Sequence, residues 1–133
     1  MNVSLDQAVA VIRTSLEAAR KAGMTAAVCV VDSGGHPVAF QRMDGTPFGA
    51  AKFAERKAMS SAALGAPTSA LAKGLLALPG LLSAAQDGIA FVEGGLPIRL
   101  SGELLGGVGV AGGTGGQDES FARAGLAALM SGA

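Results

Sequence analysis

The chain has 133 residues, ten basic against ten acidic, and half of its side chains are apolar. That length suits one domain with one core, spanning residues 1–133, and the balanced charge with no Lys/Arg run excludes the phosphate-neutralising footprint of a nucleic-acid binder. The single cysteine, Cys29, excludes an internal disulfide and fits a reducing compartment, while glycine, 21 of 133, is about twice its usual share of roughly 7% and implies closely approaching backbones.

From Ser4 to Ala22, apolar residues Leu5, Ala8, Val9, Ile12, Leu16 and Ala19 recur at helical spacing. Ser4 with Gln7 three residues on reads as a capping box, and Gly23 as the stop. The run "TAAVCVVDS" reads as a buried strand, "SGGH" as a turn, and "PVAFQRM" as the second strand of a hairpin. Thr46 as N-cap with Pro47 at the first helical position predicts a helix running to about Leu64, stopped by Gly65 and Pro67. A short helix is expected over Ser69–Leu76, then a loop, "LPGLLSAAQDG", with room for one turn. The segment "IAFVEGGLPIRLSGELLGGVGVAGG" reads as three strands, turned at Gly94-Gly95 and at Gly102-Glu103. A last helix is expected from about Asp118 to Met130. Hairpin links imply antiparallel pairing, so the pattern predicts an α+β domain with a five-stranded antiparallel sheet and flanking helices.

Within "GGVGVAGGTGGQDES", Gly107, Gly109 and Gly112 spell G-x-G-x-x-G. A dinucleotide fingerprint must follow a strand, open a helix and sit in a βαβ unit with an acidic residue about 20 positions on. Here the glycines lie inside the last expected strand and the chain ends at Ala133, so no NAD site is expected. The glycines that follow lead into a helix start. That arrangement either makes a tight strand-to-helix turn capped by Asp118, or exposes amides that hold a carboxylate or phosphate.

The segments "VVDSGGHPVAFQRMDG", "AERKAMSSAALGAPTSAL" and "LPGLLSAAQDGIAFVEGGLPIRLSGELLGGVGVAGGTGGQDESFARAGLAAL" resemble the GlcG/HbpS-like haem-binding (haem-degrading, DUF336) family over almost the whole chain. The most specific pieces are the V-D-x-x-G…R-M-D-G hairpin, the G-G-x-P-I turn and the G-V-x-G-G-x-x-x-Q-D end. The resemblance implies a profilin-like three-layer α/β/α fold with sheet order 2-1-5-4-3. It also implies a homo-oligomer, a dimer or higher, up to hexamer or octamer. Family members include secreted redox sensors that bind haem or haem and iron, domains fused to corrinoid adenosyltransferases, and proteins encoded beside glycolate or diol catabolism genes. The family's E-x-x-E iron-binding pair is not matched, because Glu55 is followed by Arg56, Lys57 and Ala58.

His36 is the only imidazole and hence the only histidine a haem iron could use; its other reading is a solvated turn residue. Cys29, Met43 and Met59 are further iron-ligand candidates, with Cys29 also readable as a small core residue. No His/Cys/carboxylate cluster has zinc spacing, so no zinc is expected. Arg42, on the strand face of Val38 and Phe40 and so expected to have its guanidinium partly buried, and Lys57, beside the small residues Ala50, Ala54 and Ser61, are candidate anion-binding cations; Lys57 is otherwise a solvated helix residue. Gly112, Gly113 and Asp118 complete the candidate binding set, and Asp44 and Asp118 are the candidate proton-transfer groups. Three functions are compatible: a small oligomeric protein binding haem or a related anionic tetrapyrrole, favoured as a binder over a catalyst; an accessory enzyme on a small carboxylate or hydroxy acid; or a structural subunit. "MNVSLDQ" lacks the basic and apolar regions of a secretory signal, and "ALAKGLLALPGLLSAA" is broken by Lys73 and Pro79, so the expectation is a cytoplasmic protein without a membrane span.

Overall fold

The first helix, α1 (Leu5–Lys21), starts where the capping box predicts: Ser4 Oγ accepts the Gln7 N–H at 3.1 Å, and Gln7 Oε1 accepts the Ser4 N–H at 2.8 Å. The computed structural model describes residues 1–84 and 88–130. After α1 the chain forms β1 (Ala27–Asp32), β2 (Pro37–Arg42), α2 (Phe48–Leu64), α3 (Thr68–Ala77), the single turn α4 (Leu81–Ala84), β3 (Gly95–Leu100), β4 (Glu103–Ala111) and α5 (Gly115–Met130).

All strand pairs are antiparallel, in the order β2-β1-β4-β3. This is the expected order with one strand missing. The sheet has four strands, not five, because Ile89–Glu93 joins no ladder. One of its backbone groups is paired outside the sheet: the Ala90 N–H donates to Ser60 Oγ of α2 at 2.8 Å. The apolar, β-branched composition of the segment suits a strand, but its partner is a helix side chain. Gly94-Gly95 is accordingly not a hairpin turn. Gly95 opens β3, and its N–H donates to Thr68 Oγ1 at 2.9 Å.

Helix boundaries shift for local reasons. Pro47, at φ −59° and ψ 145°, takes the cap position of α2 that the sequence assigns to Thr46. The Thr46 hydroxyl is buried without a partner. Helix α3 runs one residue further at each end than expected, and α5 begins at Gly115 rather than Asp118. Thr114 is the reason: its hydroxyl accepts the Gln117 N–H at 3.2 Å, and Gln117 Oε1 accepts the Thr114 N–H at 2.9 Å. This is a second capping box, T-G-G-Q, and it puts Asp118 inside the first turn. The expected loop after α3 includes α4; residues 85–87 of it lie outside the described residues.

Two clusters bury the two faces of the sheet. Val28, Val30, Val108 and Val110 pack with Ile12 and Leu16 of α1 and Phe121 of α5. Ala27, Cys29, Val31 and Ala111 pack with Ala54, Ala58 and Ala62 of α2. The second interface is made of small residues, and it is closer. A Cβ on Gly109 would overlap the carbonyl oxygen of Ala54, and one on Gly107 that of Ala58. The G-x-G spacing on β4 is therefore a docking groove for α2, a steric requirement of the close helix–strand packing.

Candidate functional site

At the end of the sheet where Ala27 pairs with Ala111, α2 and the start of α5 meet around the C-terminus of β4. Lys57 projects from α2 and is 3% exposed. Its ammonium donates to the Val110 carbonyl at 2.9 Å and to Asp118 Oδ2 at 3.1 Å. Asp118, 2% exposed, accepts the Gly113 N–H on its other oxygen at 2.9 Å. A buried ion pair of this kind contributes little net stability, since desolvation of two charges offsets much of their attraction. Gly94 leaves room for it, because a Cβ there would lie 2.8 Å from the ammonium.

The pair forms the floor of a cavity of about 450 Å³, a size typical of small-molecule sites. Its walls are apolar: Pro47, Ala50 and Phe53 on one side, Val92 on another, and the Ala111–Gly113 backbone between. Phe53 and Val92 are about half exposed, so they border the mouth.

Of the residues singled out from the sequence, the fold brings together Lys57, Gly112, Gly113 and Asp118. The amides are less available than the glycine count implies, because the Gly113 and Thr114 N–H groups are already spent on Asp118 and Gln117. His36 lies at the opposite end of β1, roughly 17 Å of strand away. Its ring is 80% exposed, with Nδ1 3.3 Å from Asp32 Oδ1. The Asp32 carboxyl is held below its ordinary value chiefly by the His36 backbone N–H, aided by the Gly34 N–H and the His36 ring. Arg42 and Asp44 are exposed, the reverse of the partial burial expected for the guanidinium, and neither joins an ion pair among the described residues. They border a separate concavity with Leu16, Arg20 and Met43. Cys29 is fully buried; burial, then Glu55, pushes its thiol up to about 12. With Met59 it lines a smaller cavity of about 230 Å³ beneath the hairpin.

Phe53 was legible as the residue one turn before Lys57 on the same helix face. Thr114 was legible as well, as the first residue of the T-x-x-Q capping pattern; Val92 carries no sequence signal that marks it for this site.

The fold and site define a small α+β domain in which an open, largely apolar cavity lies over a buried Lys–Asp pair at one end of an antiparallel sheet. Residues 3–127 match the family described as "Haem degrading protein HbpS-like", and the chain belongs to that family. It is 38% identical to a double mutant of Streptomyces reticuli HbpS, with a TM-score of 0.91 over 97% of this chain and 88% of that one. It is 27% identical to a structure described as a PduOC–haem complex, with a TM-score of 0.89 over 96% of this chain and 95% of that one. It is also 35% identical, over 73% of its length and 70% of the relative's, to an uncharacterized 15.0 kDa protein of the dhaT-dhaS intergenic region of Citrobacter freundii. No helix among the described residues is long and apolar enough to cross a membrane.

Proposed function

We propose that this protein is a small, self-associating, cytoplasmic ligand-binding protein whose ligand is haem or a related tetrapyrrole, held in the cavity between α2, β4 and α5. Membership of the HbpS-like family and the likeness to a haem-bound structure support haem-related binding. The observation that carries the placement is the buried Lys57–Asp118 pair lining an apolar cavity. Phe53, Val92 and Pro47 supply a surface for the apolar macrocycle. Among the described residues, the cavity walls include no histidine, cysteine or methionine, so on this reading the macrocycle's body and not its iron provides most of the affinity. The family resemblance implies self-association, and exposed Phe48, Leu76 and Leu78 are apolar residues available for such contacts.

The test is a haemin titration followed by the Soret band, run beside metal-free protoporphyrin. Both should bind with affinities within about threefold, Phe53→Ala should weaken both by about tenfold or more, and His36→Ala should leave them unchanged. Loss of haemin binding in His36→Ala alone would move the site to the hairpin, with His36 on the iron.

A further inference from the structure

We propose that the cavity floor is a hydroxyl-binding site that turns carboxylates away, with Asp118 setting this preference. The inference rests on the reading that this cavity holds a ligand, but not on that ligand being haem, whose polar groups are carboxylates; it adds which head group the floor accepts.

Among the described residues, the acceptors of the Lys57 ammonium are the Val110 carbonyl and Asp118 Oδ2. An ammonium has three N–H groups, so one is left, on a side chain that lines the cavity. Asp118 receives one bond on each oxygen, from Gly113 and from Lys57; each carboxylate oxygen has lone pairs for another. The floor therefore offers one donor beside acceptor positions. A hydroxyl satisfies both, accepting from Lys57 and donating to Asp118.

A carboxylate satisfies only the donor. It would place a second negative charge beside Asp118 with one shared ammonium, in a setting where water screens poorly. Two of the backbone amides at this end are committed, Gly113 to Asp118 and Thr114 to Gln117. Glu93 packs against Gly115 at the same rim: a Cβ on that glycine would lie 3.7 Å from the Glu93 carboxyl carbon. The matching ligand has an apolar body against Phe53 and Val92 and a neutral hydroxyl end at the floor. Any anionic groups it carries stay at the mouth, in water.

Benzyl alcohol and benzoate share a ring and differ in this head group. Titrated into the full chain and followed by amide NMR, the alcohol should bind at least about tenfold more tightly than benzoate and shift the Gly113 resonance. Asp118→Asn keeps an oxygen for the Gly113 N–H and removes the charge, so benzoate should gain at least about tenfold. Should that variant fail to fold, the wild-type comparison still decides. Equal or tighter binding of benzoate by the wild type overturns the proposal, as does an alcohol that leaves Gly113 unmoved. A haemin titration on the same sample separates the two readings: discrimination between the small probes without haemin binding removes only the haem assignment, and haemin binding without discrimination removes only this one.

Discussion

Lys57 and Asp118 join helices on opposite faces of the sheet, their charged atoms 3.1 Å apart around the end of β4. Neither helix reaches the other through the strands. The pair thus ties the α2 layer to the α5 layer at the one place where the sheet ends between them. Removing one member leaves the other charge buried and unpaired. Lys57→Met is expected to lose about 3–5 kcal/mol of stability, and Lys57→Met/Asp118→Leu to lose less than the single change, because apolar partners of similar size tolerate burial. Urea denaturation of both variants checks the order; a double variant less stable than Lys57→Met would contradict it.

The α2–β4 interface gives a steric prediction. Gly109→Ala should cost about 1–3 kcal/mol or more, since its methyl would overlap the Ala54 carbonyl oxygen and neither helix nor strand can retreat alone. Gly116→Ala meets open space in the first turn of α5 and should be neutral or stabilise by about 0.5–1 kcal/mol. Thermal melts of the two variants should move in opposite directions or, at the least, differ by several degrees.

Asp32 predicts a pH dependence. The His36 and Gly34 N–H groups hold its folded pKa below the ordinary 3.8. The unfolded chain therefore binds the proton more readily, so this contribution to stability is complete above about 3.8 and is lost as the pH falls through the lower, folded value. Denaturation of wild type and Asp32→Ala should show their largest difference near neutrality and a shrinking one below about pH 3.8. A gap that stays constant into acid would mean that the carboxylate's charge is not the stabilising element.

Cys29 should be chemically silent in the folded protein. A thiol raised to about 12 is almost wholly protonated at pH 8, and it lies in the sheet–α2 core. Ellman's reagent should label it only as fast as the protein unfolds, with one thiol per chain appearing promptly in denaturant. Prompt labelling under native conditions would require an opening at the hairpin cavity lined by Cys29 and Met59.

Much of the architecture was legible in the chain itself, because local signals set it: the Ser4–Gln7 capping box, the β1–β2 hairpin around Gly34-Gly35, and the left-handed Gly65 that ends α2 at φ 62°. The strand expected over 89–93 rests on apolar composition, which records that a segment is buried and not which group takes its N–H. Here that group is Ser60, a helix side chain thirty residues away in sequence.

The site divides along the same line. Residue types together with the family resemblance mark Lys57, the Gly112-Gly113 pair and Asp118 as candidates, each with a plainer reading beside it: a solvated helix residue, and a tight turn capped by Asp118. Joining them was beyond any local pattern: 61 positions separate Lys57 from Asp118, and their contact exists because Gly107 and Gly109 let α2 settle onto β4. The same packing left Arg42 and His36 outside, exposed at the β2 edge and at the far hairpin. Sequence by itself determined which side chains could do chemistry and which helices and hairpin carry them; the close approach of two backbones, a property of the folded chain only, decided which of them meet.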